Sequence, residues 1–262
     1  ALTVFAAARS PARPSGEVPP PRTLEEESLL YEETPVQIIS LSDLEPVDTR
    51  ASANPVWAEG GTLDPVDRAE MASVLAECTL KDNTIVRLYV TAEGLIDGAF
   101  SRPGAGWVRF ARLYRGADQG PNYAETATLT AYSGILGHDG FLLRTDGHRS
   151  GVYSYDYYWF DTAGELQVLT ASMDPVALDL DGDGTAELAW EIAEWRGAFS
   201  FYCRRTDGTV CRVTPSEYID ASGLFLAAVE QEGPGPVRLI YRHHSADEDQ
   251  EQFCAVTFRD GA

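Results

Sequence analysis

From Thr84 onward the chain repeats one pattern. Runs of strand length alternate apolar with polar side chains, and Gly, Asp, Asn or Pro punctuates most of them. "TIVRLYVTA", "TATLTAYSG", "GFLLRTDG", "GVYSYDYYWFDTAGELQVLTA", "VALDL", "ELAWEIAEW", "FSFYCRR", "TVCRVTP", "GLFLAAVEQ", "PVRLIYRHH" and "FCAVTFRD" follow one another. A period of two gives each run one face to bury, and short turns favour antiparallel neighbours. The pattern predicts a mainly β chain of antiparallel sheets, as a sandwich or a partial propeller, with a few short helices near the N-terminus. Residues 23–262 are expected to form a single β-rich domain. Asp-Gly pairs at 97–98, 139–140, 146–147, 207–208 and 260–261 predict hairpins. "GWVRFARLYRG" is ambiguous, because Trp107, Phe110 and Tyr114 also suit a helix.

Two segments carry helix signals. Thr23 and Glu26 have capping-box spacing ahead of "LEEESLLYEE". In "LDPVDRAEMASVLAEC", Asp64 can cap, Pro65 suits the first helical position, and Met71, Val74, Leu75 and Cys78 make an apolar stripe. "VQIISLSDL" between them looks extended.

Residues 1–22 hold five prolines, which forbid a helix there and favour an extended linker. The opening "ALTVFAAARSP" looks like the tail of a hydrophobic helix, either a signal sequence or the last span of a membrane protein. Both alternatives point to an extracytoplasmic protein, secreted or membrane-tethered. The formal net charge is −21. Such a surface repels nucleic acid and bare anionic membranes and attracts cations. Lys81 is the sole lysine among the basic residues, a compositional habit.

Cys78, Cys203, Cys211 and Cys254 form no CxxC pair. "FSFYCRRTDGTVCRV" reads as a hairpin turning at Thr206-Asp207-Gly208. If Arg205 faces Thr209, then Cys203 faces Cys211 and Phe201 faces Val213. A Cys203–Cys211 disulfide or a reduced, half-buried pair both fit. Cys78 and Cys254 could also pair.

The densest chemistry is "LDLDGDGTAEL", 178–188. Asp179, Asp181, Asp183 and Glu187 occupy loop positions 1, 3, 5 and 9, with the Thr185 carbonyl at position 7. Those hard oxygens suit Ca²⁺, and Gly184 permits the bend around an ion. An EF-hand would need a bidentate acid at position 12, which here is Trp190. By strand parity Leu178, Leu180, Leu188 and Trp190 should face a core, with the acids on the opposite side. The loop resembles the calcium loop of FG-GAP and VCBS repeats, as in integrin α-chains. That resemblance implies a structural ion pinning a strand-to-strand turn. "FDTAGEL", 160–166, is either a second, decayed copy or a hairpin turn. The layout of N-terminal arm and single calcium loop resembles the outer domains of β-lactam-sensor-type membrane metallopeptidases of Gram-positive bacteria.

No HExxH, GxSxG, P-loop or dinucleotide motif is present, so a non-enzymatic role is expected. His138, His148, His243 and His244 are scattered, and adjacent His243 and His244 would point to opposite strand faces. "YSYDYYWF" places Tyr153, Tyr155, Tyr157 and Trp159 on one face. Exposed, they could stack on sugars, as in a carbohydrate-binding module or carbohydrate-active enzyme; buried, they form a central core strand. "SADEDQEQ", 245–252, is expected to be a solvated acidic loop. A sensor or binding portion of a cell-envelope protein, taking a protein or glycan partner, is the expected function.

Overall fold

The computed structural model of the chain describes residues 34–51, 63–113, 127–147, 152–171, 176–191, 199–219, 224–231, 233, 235–244 and 251–259. The helix expected after Thr23, the Pro-rich arm, and the 245–250 part of the acidic loop lie outside them. The chain is mainly β, and no α-helix occurs among the described residues. The β-rich stretch divides into two compact units. One combines Ala1–Glu45 with Leu178–Ala262; the other is the continuous segment Pro46–Ala177.

In chain order, β1 (Val36–Ser40) comes first. The continuous unit follows with β2 (Pro65–Val66), β3 (Ser73–Thr79), β4 (Ile85–Val90), β5 (Ile96–Ser101), β6 (Trp107–Leu113), β7 (Thr128–Ile135), β8 (His138–Gly147), β9 (Val152–Phe160) and β10 (Leu166–Ala171). Next come β11 (Val176–Leu178), β12 (Glu187–Glu191), β13 (Phe199–Arg204), β14 (Val210–Val213), β15 (Phe225–Glu230), β16 (Arg238–His244) and β17 (Glu251–Arg259). The continuous unit holds the sheets β2-β6-β5-β4-β3 and β10-β9-β8-β7. The discontinuous unit holds β1-β17-β16-β15 and, of the sheet β11-β12-β13-β14, strands β12 to β14; the division of the chain at Leu178 falls within β11. Nearly all pairings are antiparallel; β1 alongside β17 is parallel.

The helix expected over 63–78 does not form. Asp67, not Asp64, caps a single 3-10 turn, Arg68–Glu70, with Glu70 completing the capping box. The Ala72 N–H then donates to Val90 O at 3.0 Å, and the chain joins β4 as β3. The segment also carries a period of two: Ala76 and Cys78 pack on the core, while Glu77 between them pairs with Arg87. A long-range partner strand outweighs the local helical stripe, and Val74 and Leu75 are left exposed. Pro65 sits in an edge strand, where its missing donor costs nothing. The ambiguous 106–116 segment forms β6 from Trp107 to Leu113.

The Asp-Gly pairs behave differently from expectation. Only 207–208 lies in a turn; Asp97-Gly98, Asp139-Gly140 and Asp146-Gly147 lie within strands, and 260–261 is outside the described residues. Gly98 is needed for space, because an added Cβ would meet the Phe110 ring at 2.6 Å. Asp97 is buried and paired with Arg109 at 3.4 Å. "FDTAGEL" is a hairpin turn: Asp161 N–H donates to Glu165 O at 3.0 Å, and Gly164 takes a φ of +83°.

The core of the continuous unit gathers Phe110, Phe141 and Tyr158, with ring centroids 4.8–5.1 Å apart. At the end of this face Asp156 is held against Leu143 and accepts a 2.7 Å hydrogen bond from Thr170 Oγ1. Burial pushes its carboxyl up to about 6, against the pull of Thr170. The folded state therefore binds more protons than the unfolded chain between about pH 4 and 6, and stability falls as pH rises through that window. We expect Asp156→Asn to match the parent near pH 4 and to exceed it at pH 7.5 by about 1–2 kcal/mol, allowing for partial exposure. Urea denaturation at the two pH values checks this; a pH-independent difference would contradict it.

The core of the discontinuous unit lies between its two sheets. Phe201, Cys203, Cys211 and Val213 come from one sheet, and Leu239, Tyr241, Val256 and Phe258 from the other. Ile39, Leu41 and Leu44 close one side, and Arg205 donates to the carbonyls of Leu41 and Leu44.

Candidate metal centre

The 179–187 loop is built by its own side chains. Asp179 Oδ1 accepts from Gly182 N–H at 2.9 Å and Oδ2 from Gly184 N–H at 3.1 Å. Asp181 Oδ1 accepts from Asp183 N–H at 3.1 Å, and Asp183 Oδ1 from Thr185 N–H at 2.6 Å. Asx-type bonds of this kind wind the chain tightly. Gly182 and Gly184 take φ of +79° and +87°. No atom lies within 4 Å of a Cβ added at Gly184, so glycine is needed there for conformation and not for room.

Strand β12 departs from the expected parity. Leu188 stands opposite Tyr202 in β13, while Cys203, the next residue, faces the core. Directly opposed residues share a face. Leu188 is buried, as expected, but on the Tyr202 face, and Glu187 instead lies on the Cys203 face toward which Leu180 points, where the sequence expectation places no acid. Leu178 and Leu180 do face the core, as expected. The loop changes the phase between the two strands and turns its last acid inward.

Glu187 is 0% exposed. Its Oε2 accepts from Leu180 N–H at 2.8 Å, and its Oε1 is buried without a hydrogen-bond partner. Burial pushes this carboxyl up to about 8; the Leu180 N–H opposes the rise, and Asp181, Asp183 and Asp179 add to it. Asp179, Asp181 and Glu187 each offer one carboxylate oxygen, and these oxygens lie within 4.8 Å of one another. Two oxygens on one Ca²⁺, each at about 2.3–2.6 Å, can be at most about 5 Å apart. The triad satisfies that limit, and the orphan oxygen of Glu187 gives the cluster a reason to hold a cation.

Of the five ligands expected from sequence, Asp179, Asp181 and Glu187 come together. Asp183 is exposed and lies outside the triad, and Thr185 is tied to Asp183 through its N–H. Partners outside the loop carry no sequence motif. Leu180 O accepts from Val237 N–H at 2.9 Å, and the Gln231 side-chain amide bonds Gly235 O at 3.1 Å while reaching Asp179 O at 3.5 Å.

The expected hairpin register holds. Arg205 N–H donates to Thr209 O, Cys203 stands opposite Cys211, and Phe201 stands opposite Val213. Both cysteines are fully buried, and no disulfide joins them in the structure. Burial pushes the Cys203 thiol up, and the nearby Glu187 and Asp181 carboxylates act in the same direction. Cys78 and Cys254 are free as well, and each thiol is raised to about 11 by burial.

The aromatic segment is the central strand β9, flanked by β8 and β10. Tyr155, Tyr157 and Trp159 are at most 6% exposed. Tyr157 packs on Tyr132 and Trp159 stacks on His138 at 5.4 Å. These three rings are core and present no stacking surface for a sugar; the side chain of Tyr153 is outside the described residues. His243 and His244 stand opposite Gln252 and Glu251 in the β16–β17 ladder, and His148 is outside the described residues.

Fold and loop together define a mainly β protein with one candidate cation loop among the described residues. No family model, curated protein or solved structure matches the chain.

Proposed function

We propose that the chain is a non-catalytic, cation-stabilised β protein. It works outside the cytoplasm as a sensing or binding portion of a cell-envelope protein, with Ca²⁺ held by Asp179, Asp181 and Glu187. The observation that carries this reading is the buried, unpartnered Glu187 Oε1 beside two further carboxylates. An all-oxygen set favours Ca²⁺ over metals that prefer nitrogen or sulfur. Three carboxylates in a partly open loop suit the weak affinities, about 10⁻⁴–10⁻³ M, that serve where Ca²⁺ is abundant. The likeness of the loop to FG-GAP and VCBS loops points the same way, as does the capacity of Cys203 and Cys211 to form a disulfide in an oxidising compartment.

Calorimetric titration of EDTA-treated protein with Ca²⁺, paired with a melting curve, tests the reading. At ten times Kd, linkage gives about 1.4 kcal/mol of stabilisation, or roughly 3–6 °C in Tm for a chain of this size. Absence of both binding heat and melting shift would sink it.

A further inference from the structure

An open sheet has two outer strands, and their unused N–H and C=O groups form a template for a further strand. The outer strands among the described residues carry devices against this, with one exception. β2 has two residues, one of them Pro65. β11 has three residues, and β14 has four with Arg212 exposed among them. β3, β7 and β15 are each broken by a register shift, at Val74/Ala76, Ser133/Ile135 and Leu226/Ala228. β10 is bridged by Arg50 at Gln167. β1 has none of these. Its five residues hold no charge and no proline, and its register with β17 runs from Val36 to Ser40 without a shift.

The pairing decides which backbone groups of β1 are open. Ala255 N–H donates to Pro35 O at 3.1 Å. In a parallel ladder alternate residues turn their backbone groups to the partner. Pro35, Gln37 and Ile39 therefore face β17, and the N–H and C=O of Val36 and Ile38 face the open edge. Among the described residues no strand takes them. The same two residues carry apolar side chains 48% and 53% exposed, side by side on one face of the strand. Ile39, on the other face, is buried in the core.

Backbone groups spaced two residues apart select an extended segment as their occupant. The charge of that segment is set by the chain. Residues 34–45 include Asp43 and Glu45, both exposed, and no basic residue. The whole chain carries −21. A second copy would bring the same charge to the contact and be repelled; a cationic segment is attracted.

We propose that β1 is a docking edge for an extended cationic segment of a partner protein, which adds a strand beside β1 and lays apolar side chains against Val36 and Ile38. The inference rests on the binding role above and gives it a surface and a partner class. It makes no use of the cation, so peptide binding and Ca²⁺ binding can fail separately.

Calorimetric titration of the whole chain with a short blocked peptide of alternating lysine and valine tests this. The parent should bind it, and Ile38→Pro should bind it at least about tenfold more weakly. That change removes the outward N–H and the isoleucine side chain, leaves the net charge alone and breaks no bond to β17, so its melting curve should match the parent's. Ile38→Lys keeps the N–H and should weaken binding through charge and lost apolar contact; it carries the comparison if Ile38→Pro melts early. N-methylation of every second peptide amide should abolish binding in one of the two possible frames. No binding by the parent overturns the proposal. Binding that survives both variants lies elsewhere on the acidic surface and overturns it too. Retention in both methylated frames overturns strand pairing. Equal binding of an alternating glutamate–valine peptide overturns the cationic partner. Dimerisation of the chain that Ile38→Pro abolishes puts a second copy on the edge instead.

Discussion

Glu187→Gln is expected to raise the melting temperature of the metal-free protein and to abolish its rise with Ca²⁺. A glutamine can still accept the Leu180 N–H through its carbonyl. Its NH₂ group then takes the place of the buried Oε1, which has no partner, and faces Asp179 and Asp181, which can both accept. Satisfying one buried polar group is worth about 1–2 kcal/mol, here roughly 2–8 °C. The same change removes one of three candidate ligand carboxylates. The stabilisation of the parent at a hundred times Kd, about 2.7 kcal/mol, should disappear. The opposite signs are the diagnostic feature. A purely structural glutamate would yield no calcium-dependent difference. Glu187→Ala should instead be less stable in both conditions, because it strands the Leu180 N–H and leaves a cavity. Melting curves of the three proteins in EDTA and in Ca²⁺ decide the matter.

The other large effect is expected at Gly140. This residue lies in β8 opposite both Tyr132 of β7 and Trp159 of β9. A Cβ there would fall inside the contact distance of Tyr158 O and against the Tyr132 phenol, whose hydroxyl donates to that same carbonyl at 3.0 Å. The carbonyl belongs to the backbone and cannot rotate away, so β8 and β9 would have to separate. We expect Gly140→Ala to cost about 3 kcal/mol, at the upper end of overpacking penalties. Trimming the ring in the double variant with Tyr132→Ala should not rescue stability, because the clash with Tyr158 O persists. A loss below about 1 kcal/mol in urea denaturation, or full rescue by the second change, would contradict this account.

Much of the architecture was legible in local alternation. The Cys203–Cys211 register followed from a three-residue turn with glycine at its left-handed position, since a hairpin turn sets the pairing of the strands it joins. The failures share one cause. Met71, Val74, Leu75 and Cys78 fit a helix as well as Ala76 and Cys78 fit a strand, and only the β4 partner, distant from any local signal, decides between them. Asp-Gly within a strand is indistinguishable by composition from Asp-Gly in a turn; the Phe110 ring above Gly98 is what requires the glycine. The loop acids were legible as a spacing, and three of them do converge. The inward aim of Glu187 was not, because parity counted from one strand does not carry across a loop with two left-handed residues. Gln231 and Val237 carried no signal, because their role is made by tertiary hydrogen bonds and one of those uses only the backbone.

The division of the chain sets an order on its making. Every strand partner of the continuous unit exists once Ala177 has been synthesised. β1 is in a different position: Val36 pairs with Ala255, roughly 220 residues later, so its partner strand among the described residues is made long after β1 itself. Asp179 is made immediately after the chain re-enters the discontinuous unit at Leu178, well before the β15–β16 connection that its loop holds. The candidate ligands thus exist before the sheet they help to fasten.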